Sequence, residues 1–482
     1  MIEANVRSQN SSAKSVAKVG ILGIVLLAAI IAGAVVIRFM HIGLESLWLD
    51  EGASVGIARL GWGDFFRVLW HREGNMALYY LLLRGWMVFG SGDAWVRGLS
   101  SVFSIATVPF IYLLGKDVRS ERVGLIAAAL FAASPFAIAY AQETRGYSLV
   151  TLLLTIATWA LVRAARTEEA RWWMLWTIAM GASVYVHLFV VFVLLAQIIY
   201  LYRLQIPVAE MRKRLALIAL IWLPMIAFVT IRKAGQLHWV PKLTARGVID
   251  ALAELSGGGD LALMMAVLVI LAAVLTWRKG QREDVVLVWL WLLLPIGLIV
   301  VVSIFRPLLV PRFLILELPA LMLVAAFTLA DMPRVLGLLL LVAAVFFGVR
   351  TELRAWRTPT KDDFRSATAY VLEHALPRDG IIFDQALGRE VYEHYEQGKT
   401  SPQIISPAHG SRTTYRDFEF DPPEVLALKL QRAPSRVWVM LNRCEEHGKL
   451  DLYTQFLMAQ LKRSRSCETK AFREVEVVRC AR

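Results

Sequence analysis

Eleven apolar stretches of sixteen to twenty-two residues recur along this chain, at 19–39, 95–115, 122–141, 146–165, 171–186, 188–203, 213–231, 260–277, 284–305, 311–330 and 333–350. A helix needs roughly 17–25 apolar residues to cross the ~30 Å hydrocarbon core of a bilayer, because each residue rises only ~1.5 Å. Lipid offers the backbone no hydrogen-bond partners, so such runs must be helices packed on helices. The spacing predicts a mainly α, polytopic transmembrane bundle of about 11–13 helices. Hydrophobic residues make up 57% of the 482, too many for an ordinary soluble protein. The first run, VGILGIVLLAAIIAGAVVIRF, follows Arg7, Lys14 and Lys18. It is long and lacks an A-x-A exit, so it is expected to persist as an uncleaved helix rather than a signal peptide.

The formal net charge is +13, yet the basic residues lie in short loops between apolar runs rather than on one stripe that could follow nucleic acid. No nucleic-acid partner is expected. Residues 76–90, MALYYLLLRGWMVFG, decide the topology. This segment is short, carries Arg84 centrally, and is rich in the Tyr and Trp that prefer headgroup depth. If it lies in the interface, loops 116–122, 163–171, 203–214, 278–282 and the turn at Arg334 all share the basic N-terminal side, which the positive-inside rule assigns to the cytoplasm. If it crosses, every one of them flips. It is therefore expected to be an interfacial helix within a first outer loop at about 40–94. The extracytoplasmic face then holds that loop, 142–146, the region around His187, 232–259, 306–311 and everything after 351.

Three polar constellations fall on that face. In LESLWLDEGASVG, Asp50 and Glu51 stand between a Trp-Leu pair and a small-residue helical stretch. Adjacent helical residues point ~100° apart, so one shared role for both is not expected. In YAQETRGYSL, one apolar helix ends and another begins within a few residues, leaving Glu143 and Arg145 at the membrane surface, where charges are paired or functional. In VPRFLILELP, Arg312 enters a helix at the boundary, and its planar fork suits a phosphate. His71 and His187 also lie on this face; a lone His is as readily a packed helix-end residue as an acid/base group. Together the pattern fits a membrane-borne phosphate leaving group and an acceptor hydroxyl or amine that needs a base. No GxxxxGK[ST] or GxGxxG phosphate loop is present to hold a soluble nucleotide.

After about 357 the composition turns polar. DDFRSATAYVLEHA (362–375) has a helical pattern, while GIIFDQ, RVWVMLN and REVEVVRC read as short strands. A soluble, extracytoplasmic α/β domain is expected over 351–482, following a membrane module over 1–350. Cys444, Cys467 and Cys480 all fall in this tail, and the spacing leaves the pairing open.

The stretches LWLDE, ALYYLLLRGW, RGLSSVFSIATVPFIYLLGKDVRSERVGLIAAALFAASPFAIAYAQETRGYSL, HLFVVFVLLAQ and VPRFLILELPAL, in this order across residues 20–350, resemble the bacterial membrane glycosyltransferases of the GT-C superfamily. The nearest group is the protein-mannosyltransferase-like and lipid A aminoarabinose or galacturonosyl transferase-like enzymes. The resemblance implies transfer of a sugar from a polyprenyl-phosphate donor to a lipid, polysaccharide or protein acceptor, on the outer side of a bacterial inner membrane and with inversion. It implies Asp50 as the carboxylate engaging the acceptor and Glu51 as its neighbour in the motif. Glu143 and Arg145 would complete the outer cavity, and Arg312 would hold the donor phosphate. One departure stands out. HREGNMALYY lacks the Pro-Pro that commonly precedes LYY in the family, which leaves the roles of His71 and Asn75 open. The tail after 357 lies outside the resemblance.

The donor phosphate leaves as an anion, so no cofactor is expected; a divalent metal is compatible but not demanded. Two other readings fit parts of the pattern. A secondary transporter would place ionisable groups near the midplane and show two related halves. A non-catalytic scaffold or receptor would display the α/β tail without a built outer cavity.

Overall fold

The computed structural model describes residues 20–232, 240–279, 282–384, 386–407, 421–442, 445–446 and 449–482. All eleven apolar runs are helical. Among the described residues, eight are single helices long and apolar enough to cross a membrane. These are α1 (Ile21–Phe39), α5 (Asp93–Val118), α8 (Tyr147–Thr167), α11 (Val208–Arg232), α13 (Gly259–Lys279), α14 (Glu283–Phe305), the turn Pro311–Glu317 continuing into α15 (Leu318–Asp331), and α16 (Arg334–Ala355). The run at 122–141 is split into α6 (Glu121–Ala132) and α7 (Pro135–Ala141), bent by 58°. The break has a local cause: Ser134 accepts a hydrogen bond from the Ala137 amide as an N-cap, and Pro135 occupies the first helical position.

The runs at 171–186 and 188–203 form shorter helices than a full crossing requires, α9 (Ala170–Ser183) and α10 (Val190–Arg203), of 14 residues each. Residues 76–90 give only the ten-residue α4 (Ala77–Trp86), roughly 15 Å long and half a span. It belongs with α2 (Leu49–Arg59) and α3 (Trp62–Val68) to the segment between α1 and α5. The loop between α11 and α13 carries one more short helix, α12 (Ala245–Leu255).

The tail folds as a small α/β unit of α17 (Phe364–His374), β1 (Gly380–Phe383), α18 (Ala386–Glu396), β2 (Gln403–Ser406), α19 (Pro423–Gln431), β3 (Arg436–Asn442), a short pair β4 (Glu445–Glu446) and β5 (Lys449–Leu450), α20 (Leu452–Lys462), β6 (Ser466–Phe472) and β7 (Val475–Ala481). The main sheet runs β2-β1-β3-β7-β6, with β1 parallel to β2 and β3, and β7 antiparallel to β3 and β6. Alternate residues of each strand point to opposite faces. Ile381, Phe383, Trp438 and Met440 join α17, α18 and the bundle in one continuous apolar core, while Ile382, Val437, Val439 and Leu441 pack under α19 and α20. A disulfide joins Cys467 to Cys480 across β6 and β7. Cys444 lies outside the described residues.

This unit is bolted to the segment between α1 and α5. α18 lies against α2, and Gly52 and Gly56, one turn apart, are the reason it can approach so closely. A Cβ on Gly52 would overlap Val391, and one on Gly56 would overlap the Glu390 carboxylate. Around that contact, the Tyr395 hydroxyl donates to Asp93 Oδ2 (2.6 Å) and accepts from the Leu47 amide (2.7 Å). Arg365 also reaches Asp93 (2.6 Å), and His394 Nε2 is 2.8 Å from its other oxygen.

Candidate active site

The small-residue helix α2 separates its side chains into three faces. Asp50, Ala53 and Ile57, spaced i, i+3, i+7, line a cavity of about 910 Å³. Glu51, Val55 and Ala58 point into the protein and are buried, and the two glycines face α18. One helical turn thus sends two adjacent acids to different chemical environments.

Asp50 remains partly exposed in the cavity wall. Its Oδ2 is 3.4 Å from Arg312 Nη1 and 3.8 Å from Arg145 Nη2. Arg312 comes from the Pro311–Glu317 turn, and its guanidinium also lies 5.8 Å from the Trp48 ring. Arg145 donates to the Tyr80 hydroxyl (3.3 Å), which in turn donates to Glu73 Oε2 (2.9 Å). These ion pairs are longer than a tight bidentate pair, so an incoming anion can exchange for Asp50 on either arginine.

Glu51 is fully buried and does not line the cavity. Arg97 grips both its oxygens, at 2.7 and 2.6 Å, the Thr144 amide donates at 2.9 Å, and Lys361 Nζ at 3.2 Å. Burial alone would raise its pKa. The charges of Arg97 and Lys361, with the hydrogen bonds from Arg97 and Thr144, outweigh that and hold it at about 2. Glu51 is thus an anchor that ties α2 to α5, to the 142–146 turn and to the tail.

That turn is fixed from several sides. Gln142 Nε2 donates to the carbonyls of Arg38 and Met40 (both 3.0 Å) at the end of α1, and Ser100 Oγ donates to the Arg145 carbonyl (3.0 Å). Glu143 is buried beside the cavity rather than in its wall, and its Oε1 has no hydrogen-bond partner among the described residues. Burial pushes its carboxyl up to about 7; Glu51 and Asp50 reinforce this, while Lys361 and Arg145 oppose it.

His187 lines the cavity, with Phe313 edge-on at 5.1 Å. Burial, with Arg145 and Arg312 nearby, lowers its pKa to about 3, so the ring is neutral. Its Nδ1 accepts from the Phe189 amide (3.2 Å), which assigns the proton to Nε2 and makes that nitrogen a donor. His71 is not among the cavity residues, whereas its neighbours Arg72, Glu73 and Asn75 are. The π-helical turn Leu69–Glu73 turns this stretch, and nothing in the local sequence signals it. Tyr80 and Glu254 in the cavity wall, and Lys361 behind it against Glu51, are further polar groups that the three sequence constellations do not include. Tyr80 had a signal in the LYY stretch; Lys361, far along the chain, had none. Among the described residues no group of three His, Cys, Asp or Glu is arranged to hold a metal.

Comparison with known proteins bears on the fold. The Dolichyl-phosphate-mannose-protein mannosyltransferase family model matches residues 76–232. No curated protein matches the chain by sequence. Among solved structures, ArnT from Cupriavidus metallidurans in the apo state superimposes with a TM-score of 0.65 at 12% identity, over 95% of this chain and 97% of that one. The same protein bound to undecaprenyl phosphate gives 0.64 at 12% identity over the same shares. The archaeal oligosaccharyltransferase AglB from Archaeoglobus fulgidus, in complex with an inhibitory peptide and a dolichol-phosphate, gives 0.51 at 12% identity, over 87% of this chain and 69% of that one. The chain has the fold of the GT-C superfamily of membrane glycosyltransferases.

Proposed function

We propose that this protein transfers a sugar from a polyprenyl-phosphate donor to a hydroxyl or amine of an envelope glycolipid, polysaccharide or protein, with inversion, at the extracytoplasmic face of a bacterial cytoplasmic membrane. The observation that carries this reading is Asp50 held loosely between Arg145 and Arg312 in a large cavity. A donor phosphate takes over the two arginines and releases Asp50 to accept a proton. The acceptor oxygen or nitrogen then bonds to the anomeric carbon from the face opposite the phosphate. The bond from that carbon to the phosphate oxygen breaks, its electron pair leaves on the phosphate, and the acceptor proton passes to Asp50. Arginine charge stabilises the leaving phosphate where it develops. Neutral His187 offers Nε2–H to a phosphate or sugar oxygen. No step draws on a cofactor or metal. Lipid phosphates bound to ArnT and AglB support a lipid-linked donor here, and the basic short loops support the sidedness.

The test is transfer in proteoliposomes containing the purified protein, a radiolabelled polyprenyl-phosphate sugar and an envelope lipid extract. Label moving into the extract supports the reading. A series of polyprenyl-phosphate sugars that all remain intact while the protein is folded would defeat it. Mass spectrometry of envelope glycolipids from cells lacking the chain identifies the acceptor.

A further inference from the structure

Lys361 comes from the segment after the last span and ends behind the cavity wall, against Glu51 and the 142–146 turn. Its Nζ donates to Glu51 Oε2 at 3.2 Å and to the Gln142 carbonyl at 3.3 Å. Arg97 already matches the Glu51 charge with two hydrogen bonds, so neutralising that carboxylate does not call for a second cation. What Lys361 adds is a bridge. One of its partners directly follows Asp50 in α2, and the other is three residues before Arg145. Asp50 and Arg145 face each other in the cavity at 3.8 Å.

The lysine is held by the tail's own fold. The Thr360 amide donates to Glu45 Oε1 (2.7 Å), the Lys361 carbonyl accepts from Arg473 Nε (2.7 Å), and the Asp363 amide donates to the Arg473 carbonyl (2.9 Å). Arg473 lies in the turn between β6 and β7. Asp363 caps α17 by accepting from the Ser366 amide, and Arg365 binds Asp93. The sequence KDDFR therefore works as one rigid plug, docked on the first outer loop and delivering a single ammonium beneath the active turn.

We propose that Lys361 is a positioning residue for the transfer reaction, bridging α2 to the 142–146 turn so that the cavity is competent only with the C-terminal domain docked. This rests on the transferase reading above. A misplacement of ~1 Å at a reacting pair can lower a rate ~10²-fold; the Thr144 amide already joins the turn to Glu51 (2.9 Å), and Lys361 adds, among the described residues, the one link between these two elements that comes from the C-terminal domain. The bridge also has an electrostatic signature. Glu143 is faced by the cations Lys361 and Arg145 and by the anions Glu51 and Asp50. Removing Lys361 favours its protonated form. A charge on Glu143 alters the field at Asp50, so the rate titrates with it.

The experiment measures transfer from a labelled polyprenyl-phosphate sugar against pH in proteoliposomes of full-length protein. Lys361→Met is expected to lower kcat by ~10-fold or more with a smaller change in donor KM, and to move the acidic limb up by about one pH unit. Lys361→Arg keeps the charge and is expected to keep the wild-type limb. A Lys361→Met protein with the wild-type rate and limb overturns the proposal. Should that variant fail to accumulate, Lys361→Arg decides, because a folded Arg variant whose limb moves upward overturns it equally. An inactive wild-type protein is a separate outcome and counts against the transferase reading itself.

Discussion

Asp50 Oδ2 lies 3.4 Å from Arg312 Nη1, joining residues 262 positions apart across the cavity. In the proposed reaction the carboxylate is the base and the guanidinium the phosphate holder, so their losses differ in kind. Asp50→Asn keeps the shape and removes the base; kcat is expected to fall ~10²–10⁴-fold with little change in donor KM. Arg312→Gln is expected to raise the donor KM as well. Initial rates over a range of donor concentrations separate the two.

Glu51, one residue away, predicts a stability effect. Breaking a buried, hydrogen-bonded ion pair by removing one partner costs about 3–5 kcal/mol. Glu51→Gln and Arg97→Met are each expected to lower Tm in detergent. The double variant is expected to lose less than the sum of the two, because neither leaves the other charge stranded. Additive losses in this thermal-melt cycle would show that the pair is not the unit holding α2 to α5.

The contact between α2 and α18 predicts how the tail can be released. Gly56→Leu places a side chain where the Glu390 carboxylate lies, and helix packing has no room to absorb it. The C-terminal domain is expected to become sensitive to limited proteolysis after the last span, while the bundle remains folded. An unchanged digestion pattern would count against the close packing of the two helices.

Glu143 sets a pH dependence of stability. Its pKa is raised from the ordinary carboxylate value to about 7 on folding. The folded state therefore holds that proton more tightly than the unfolded state. The resulting stability is fully present below the unfolded value near 4.5 and is lost as pH rises through about 7. Glu51 has the opposite sign, contributing above the unfolded value and losing stability only as pH falls towards about 2. Melting curves between pH 4.5 and 8 are expected to show this contribution to wild-type Tm falling with pH up to about 7 and level above it, and Glu143→Gln lacking that fall.

The Cys467–Cys480 bridge closes a short loop, of sequence separation 13, between edge strand β6 and its neighbour β7. Loops of that size constrain the unfolded chain by about 3 kcal/mol. Replacing both residues by Ser is expected to lower the melting temperature of the C-terminal domain and to abolish its response to dithiothreitol.

The membrane helices were legible because their physics is local. An apolar run in lipid has only one way to satisfy its backbone, so runs such as 284–305 name their own structure, and the composition change near 357 marks the α/β tail. The acids and arginines at 50, 145 and 312 could be picked out because a charge beside an apolar run is expensive unless it has a purpose. Other features depend on direction and distance, which linear spacing does not carry. Asp50 and Glu51 look equivalent in sequence, and only the helix turn and the placement of Arg97 send one to the cavity and the other to the interior. His71 stands beside Arg72 and Glu73, yet a single π-turn leaves it out of the cavity they line. Lys361 reads as one more loop lysine until folding brings it across 310 residues to Glu51. The sequence by itself determined that this chain is a helix bundle with charges at the ends of its apolar runs. Only the tertiary structure decided which of those charges meet, because pairing over hundreds of residues is set by how rigid elements pack, through contacts such as Gly52 against Val391 that no local pattern encodes.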